Sequence, residues 1–426
     1  MADLFLPPGI RYTCLRCGAC CRRLEVTLTE AEHERLLAHD WAGALPGFAP
    51  DRSFARIRGA RGKQVWRLRP GPTGACRFLT EGNLCLVHAM LGPAAKPFAG
   101  RLFPFTFAVT PVGVFVGCRF SCPAVVRGEG QDLESQRRDI ERLFDEYARV
   151  YDPPRERERV RFIGRYEIGW RDAVRLEDQL IAFLLMRNLE IPRRLLACRR
   201  VVRRFASGAV SSRAEDSRVG VEPDEILAEM RAATKKAEGL SGTERVMMRL
   251  LAATFVGAAL PSFRQWPLAR RLGKRLSNLH QRFLMALGRG RVLLPGLAEA
   301  VPIREVGAVG AAALDARSSA MLERYLVAKI AGQAFFGRSF FRRSFVEGVD
   351  FLASAYGAIV WLAGGCALAA GRRDLQPDDI EYGIRQVDEG FNYLPSLGGT
   401  LERMRGILFW HWATPEKLLA ALSHGD

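Results

Sequence analysis

The sequence lacks the marks of an exported protein. Its opening segment, up to Pro8, has no basic residue and no long apolar run, and Asp3 stands where a signal peptide carries positive charge. We therefore expect a cytoplasmic protein. Because the cytoplasm keeps thiols reduced, the ten cysteines of this chain favour metal ligation or redox chemistry over a disulfide framework.

Motifs of several enzyme classes are also missing. The sequence has no HExxH metalloprotease motif, no phosphate-binding loop and no recognisable Ser-His-Asp constellation. Histidine is scarce, with six residues, and His88 is the only one near Cys76 and Cys85. A zinc-finger pattern that alternates cysteine and histidine pairs is therefore weak.

Lysine is scarce as well, so the basic character comes from arginine. Lys and Arg number 63 against 46 Asp and Glu, a formal charge of +17, and only seven of the 63 are lysine. Residues 52–77 carry eight basic residues and no acidic one, a patch that attracts acidic protein surfaces or nucleic acid. Few aromatic residues interleave with it, so nucleic acid is disfavoured and an acidic protein partner is favoured. The plain alternative is a general bias toward arginine.

The apolar pattern changes near residue 128. Before it, apolar residues alternate on either side of a turn at residues 110–113, which predicts a β-hairpin. After it, they recur at helical spacing. We predict a mainly α protein with these parts: a small irregular α+β module (1–127), a helical segment (128–206), a linker or mobile loop (207–222) and a larger all-helical domain (223–426).

One segment is long enough to cross a membrane. Residues 351–371 contain no charged residue, but they are rich in Ala and Gly. Arginine pairs flank both ends, at residues 342–343 and 372–373, which leaves no orientation signal. An apolar helix of this kind also forms the centre of helical domains, so we predict a buried helix and no membrane association.

Cysteine is concentrated at one end of the chain. Only Cys198 and Cys366 lie beyond residue 122. This asymmetry suggests a dedicated metal-binding module. The predicted metal ligands are Cys14, Cys17, Cys20, Cys21, Cys76, Cys85, Cys118 and Cys122.

The sharpest motif is the C-x2-C-x2-C-C run from Cys14 to Cys21. Its two-residue spacing lets successive thiolates converge on one metal. Bacterial ferredoxin runs use the same spacing with a Cys-Pro fourth ligand, and Cys122 precedes Pro123. Adjacent cysteines such as Cys20 and Cys21 project differently, so they can serve separate centres. The spacing favours an iron–sulfur cluster, of the 4Fe-4S type, and leaves zinc and unmetallated thiols as alternatives.

Taken together, these motifs resemble the YkgJ-type CxxCxxCC cysteine-cluster family. The resemblance covers about residues 12–123. It rests on Cys14–Cys21, on Cys76 and Cys85, on Lys96–Phe105 and on Ser121–Pro123. The family is described as chelating iron or zinc, and it includes the flagellin lysine-N-methylases. The resemblance therefore implies an enzyme that transfers methyl from S-adenosylmethionine to lysine of a protein substrate such as flagellin.

One position departs from the family pattern. Gly100 stands where the family has a cysteine, although Lys96, Pro97 and Arg101 match. If the hairpin brings residues near 100 opposite those near 122, Cys118 lies at the same end and supplies the missing thiolate.

No other motif in the chain marks methyl transfer. The sequence lacks the strand, Gly-rich turn and helix of a conventional methyltransferase, and it lacks the C-x3-C-x2-C run of radical S-adenosylmethionine enzymes. The alternative interpretation is a non-catalytic iron- or zinc-binding protein that serves redox sensing, metal chelation or scaffolding with an acidic partner.

Overall fold

The chain is mainly α-helical, with small β-sheets mostly in its N-terminal part, as the sequence predicts. The computed structural model describes residues 3–41, 43–45, 47–58, 64–211, 223–233, 242–256, 268–307, 309, 314–393 and 419. The strands are β1 (Leu4–Phe5), β2 (Arg11–Tyr12), β3 (Thr27–Leu28), β4 (Phe54–Arg58), β5 (Gln64–Leu68), β6 (Phe105–Thr110), β7 (Gly113–Cys118), β8 (Gln131–Asp132), β9 (Val160–Ile163), β10 (Tyr166–Ile168), β11 (Arg291–Leu293) and β12 (Ala300–Pro302). The helices are α1 (Glu30–Leu37), α2 (Pro50–Ser53), α3 (Leu86–Leu91), α4 (Phe98–Leu102), α5 (Pro123–Arg127), α6 (Arg137–Tyr151), α7 (Trp170–Leu184), α8 (Ile191–Ser211), α9 (Pro223–Ala233), α10 (Gly242–Val256), α11 (Leu268–Leu287), α12 (Ile303–Val306), α13 (Ala316–Ala331), α14 (Phe345–Ala369) and α15 (Pro377–Tyr393).

The predicted hairpin is confirmed. Strands β6 and β7 pair antiparallel, with Phe105 opposite Cys118 and Thr110 opposite Gly113, and β1 joins β7 in parallel. Every residue of β7 is buried, because β1 and β6 flank its edges and α13 packs against it. The hairpin therefore belongs to the main core of the protein.

Two hydrophobic cores share the N-terminal region. The smaller core includes Leu36, Trp41 and Phe78 and lies between α1 and the β3-β5-β4 sheet. The larger core runs from Leu4 through the hairpin to α7, α8, α13, α14 and α15. Residues 1–127 thus contribute to both cores, because the apolar side chains of β7 pack against helices from the C-terminal part.

Helix α14 contains most of the charge-free segment. By length and composition it is apolar enough to cross a membrane, yet 89% of its apolar window is buried inside the protein. Ser344 caps its N-terminus in a capping box with Glu347. The prediction of a buried helix is confirmed, because α8, α10 and α15 cover it.

Two features differ from the predicted outline. Residues 207–211 form the end of α8 instead of a linker, and residues 212–222 lie outside the described part of the chain. Short hairpins interrupt both helical parts: β9–β10 lies in the predicted helical segment (128–206), and β11–β12 lies in the predicted all-helical domain (223–426). The glycines at 288 and 290 adopt positive φ just before β11, which explains the break after α11.

A buried carboxyl in α7 supports a pH-dependent prediction. The Gln333 side-chain amide donates to Glu177 Oε2 at 2.5 Å, while Glu177 Oε1 and Gln333 Oε1 have no hydrogen-bond partner among the residues that the structure describes. Burial raises the pKa of Glu177 well above its ordinary value of 4.5. Above pH 4.5 the folded state therefore binds more protons than the unfolded state, and stability falls as pH rises.

Glu177→Gln is expected to remove this loss of stability at high pH. A glutamine amide can donate to Gln333 Oε1 without burying a charge, so the variant should be about 1–2 kcal/mol more stable than the wild type at pH 8. Urea unfolding at pH 5 and pH 8 measures the difference. The prediction would be contradicted if the wild type were equally stable at pH 5 and pH 8 and the variant were no more stable than the wild type at pH 8.

Candidate metal centre

The cysteine run forms a curled loop between β2 and β3. Arg16 and Gly18 adopt left-handed φ values of 53° and 68°, which turn the chain back on itself. A Cβ on Gly18 would lie 2.7 Å from Asn83 Oδ1, so glycine is required there. After the turn, the Leu24 amide donates to the Cys20 carbonyl at 2.8 Å. This curl gathers the sulfurs on a short stretch of chain.

The first cysteine group surrounds Tyr12. Burial raises the pKa of Tyr12, and four nearby cysteines raise it further. Burial also raises the pKa of Cys122 to about 11, and Cys17 adds to the effect. The group consists of Cys14, Cys17, Cys20, Cys118 and Cys122.

Backbone pairing explains why these distant cysteines meet. Strand β2, just before Cys14, pairs with β8, just after α5, whose N-cap residue is Cys122. Gly130 makes the approach feasible, since a Cβ there would lie 2.3 Å from the Thr13 nitrogen. The Cys-Pro pair at 122–123 is therefore brought back to the N-terminal run, as the ferredoxin-like spacing requires.

The second cysteine group consists of Cys21, Cys76 and Cys85. The Cys76 amide donates to the Cys21 carbonyl at 2.6 Å, and a β-bridge between Leu79 and Cys85 closes the intervening turn. Burial raises the pKa of Cys76 to about 12, Cys21 and Cys85 raise it further, and Lys96 lowers it. Three thiols thus share one neighbourhood.

Adjacent Cys20 and Cys21 belong to different groups. Their sulfurs lie 3.9 Å apart. The contact between the two thiols lowers the pKa of Cys21, burial opposes this, and the positive charges of Lys96 and Arg22 lower the pKa further. The same contact, together with burial, raises the pKa of Cys20.

A cavity of about 330 Å³ adjoins the second group. Helix α4 supplies Gly100 to its wall, and Lys96 precedes that helix. The wall is largely apolar and aromatic, with Phe78, Phe103 and Tyr147 among the lining residues. Cys20, Cys21, Cys76 and Cys85 complete the part of the wall that carries sulfur.

The geometric premise for Cys118 as a substitute at position 100 is wrong. Gly100 lies in α4, and β6 begins only at Phe105, so residues near 100 do not pair with the second strand. Cys118 is fully buried and is not among the residues that line the cavity. Its pKa is raised by burial and then by Cys122, so it belongs to the first group.

The thiols are gathered, but they do not form a closed metal site. Within the described ranges, no three His, Cys, Asp or Glu side chains are arranged to hold a metal ion. By donor type, both groups fit a thiophilic metal, since thiolates prefer iron–sulfur clusters and zinc. The cysteine side chains of either group would have to rotate before they could surround a metal. Ligation by the eight cysteines therefore stays a prediction.

A buried ion pair beside the first group is a feature that the sequence does not signal. Lys329 Nζ lies 2.5 Å from Asp388 Oδ1, and Asp388 Oδ2 accepts the Ser121 backbone N–H at 2.9 Å. Both charges influence the pKa of Cys118. The pair joins α13 to α15 across 59 residues, a separation at which no local spacing reveals a contact.

Two histidines at H-x5-H spacing have packing roles. The His33 ring stacks on Trp66 with centroids 3.7 Å apart, and the His39 ring meets Trp41 edge-on at 4.5 Å. Both belong to the aromatic surroundings of the smaller core.

The predicted basic patch is partly neutralised. Arg67 pairs with Glu25 at 3.1 Å, and Arg56 lies 3.7 Å from Glu30. Residues 59–63 lie outside the described part of the chain. An acidic partner for this patch therefore stays a prediction.

No protein-family model, curated protein or solved structure matches this chain.

Proposed function

We propose that the protein binds metal through the two cysteine groups. The observation that carries the proposal is the gathering of eight cysteines into a group of five and a group of three, which meet where the Cys20 and Cys21 sulfurs lie 3.9 Å apart. Packing alone does not require thiols to cluster, whereas the ligands of one metal must converge on it.

Cys21 is the thiol whose surroundings favour the thiolate. Its contact with Cys20 lowers its pKa, and Lys96 and Arg22 lower it further, whereas burial raises the pKa of Cys76, Cys118 and Cys122. Metal ligation requires deprotonated sulfur, and positive charge close by lowers the cost of that ionisation. The first group, with its Cys-Pro member, best suits an iron–sulfur cluster, and zinc is the alternative. Such a centre supplies electron transfer or Lewis acidity when bound.

The test is metal content in matched variants of the full chain, purified without oxygen. Cys14→Ser should lose the metal of the first group alone, and Cys76→Ser the metal of the second group alone. Cys366→Ser is the control, because Cys366 lies outside both groups and serine can keep its hydrogen bond to Asp379. Iron, sulfide and zinc assays give the readout. Equal metal content in all four proteins would reject the proposal.

We propose as the activity methyl transfer from S-adenosylmethionine to a protein lysine. Its support is the sequence resemblance over residues 12–123 and a largely apolar cavity beside the second cysteine group. A labelled-methyl assay with flagellin as acceptor tests it. A zinc-loaded protein that labels no acceptor would leave the non-catalytic alternative, a metal-binding protein for redox sensing, chelation or scaffolding.

A further inference from the structure

The second cysteine group has three members, and all three line the cavity. The cavity wall has a gap at Gly100, which carries no side chain. Among the described residues that line this cavity, Glu25 has the sole carboxylate, and Arg67 pairs with it at 3.1 Å. The remaining lining cysteine, Cys20, has its sulfur 3.9 Å from that of Cys21, and it is counted in the first group because it acts on the pKa of Tyr12.

The gap at Gly100 is not forced by the backbone. Gly100 lies inside α4 with no left-handed φ, and its amide donates to the Pro97 carbonyl at 2.8 Å. A Cβ placed there would lie 3.1 Å from Lys96 Cε, near the far end of a flexible side chain. A larger residue is therefore sterically tolerable, and glycine at this position leaves space that a side chain would fill.

The surroundings of the gap define what fits it. Lys96 reaches past Gly100 and acts electrostatically on Cys21 and Cys76, so an anionic donor atom is favoured there. Phe103, Tyr147 and other apolar or aromatic side chains form the rest of the wall. A cavity of about 330 Å³ admits a small organic molecule.

We propose that the second group holds its metal with three thiolates and takes the fourth ligand from a small molecule in the cavity. That molecule carries a thiolate or carboxylate donor and an apolar body. Three protein ligands with one open position are the pattern of reactive rather than structural metal sites. The proposal rests on the metal binding proposed above.

The experiment uses Co²⁺ as a spectroscopic probe in the full chain. Wild type, Gly100→Cys and Gly100→Ala are loaded, and thiophenol and benzoate are titrated while sulfur-to-cobalt absorption and bound cobalt are followed. Wild type and Gly100→Ala should respond saturably. Gly100→Cys should absorb more strongly before titration, since four thiolates replace three, and its response should be lost.

Each outcome separates the two proposals. If Cys76→Ser binds as much cobalt as the wild type, metal binding by the second group is rejected. If cobalt binds there but neither probe changes the wild-type spectrum, only the open position is rejected. A wild-type spectrum that already matches Gly100→Cys also overturns it. Should Gly100→Cys fail to fold, the wild-type and Gly100→Ala titrations still decide.

Discussion

Asp388→Ala is expected to cost about 3–5 kcal/mol of folding free energy. The Lys329 and Asp388 side chains are 6% and 0% exposed, and their atoms lie 2.5 Å apart. Removing the carboxylate takes the ion-pair partner from a buried ammonium, which keeps its position 5.4 Å from the Tyr325 ring centroid, and it deprives the Ser121 N–H of its acceptor. Breaking a buried ion pair by removing one charge is among the most costly substitutions in a folded protein.

A double substitution separates the contribution of the ion pair to stability from that of side-chain packing. Lys329→Met with Asp388→Leu removes both charges while keeping much of the volume, so it should recover a large part of the stability lost in Asp388→Ala. Urea unfolding of the three proteins at one pH provides the comparison. A loss below about 1 kcal/mol in the single variant would show that the ammonium finds water or another acceptor.

Gly383→Ala is expected to cost about 3 kcal/mol, because α14 and α15 touch through their backbones at this point. A Cβ on Gly383 would lie 2.4 Å from the Ile359 carbonyl oxygen and 3.1 Å from its Cγ2. Neither atom is the end of a flexible side chain, so the two helices must move apart. Their separation would disturb the largest helix contact of the described chain.

A matched glycine elsewhere provides the control. Gly208 also lies in a helix, α8, but a Cβ there would meet nothing within 4 Å. Gly208→Ala should therefore stabilise the protein by about 0.5–1 kcal/mol through helix propensity alone. Thermal unfolding should move in opposite directions for the two variants. Parallel shifts would mean that the helix contact at Gly383 is not the cause.

Local patterns predict the local parts of this fold. The alternation around residues 105–116 yields the hairpin, and the charge-free run yields the buried helix α14. Both depend on residues a few positions apart, whose spacing fixes which face is apolar. The prediction for residues 207–211 is wrong because this Ser-Gly-Ala-Val-Ser stretch contains no proline and remains compatible with the last turns of a helix.

The arrangement of the candidate site could be recognised only from the tertiary structure. The sequence identifies the eight cysteines, but not their division, because Cys118 and Cys122 reach the first group through the pairing of β2 with β8. The suggested role of Cys118 assumed that residue 100 continues a strand. It lies in α4 instead, since the chain between Lys96 and Phe105 turns through a short helix.

The peptide bond between Cys20 and Cys21 has a consequence for the order of metal loading. For a protein that binds metal in both groups, closing one group immobilises a backbone segment that the other group also uses. The chain entropy lost in the first event is not lost again in the second, so the second metal binds more tightly. Half-loaded wild-type protein is then rarer than two independent sites would make it, while a variant that has lost one group still binds metal in the other group at its unassisted affinity.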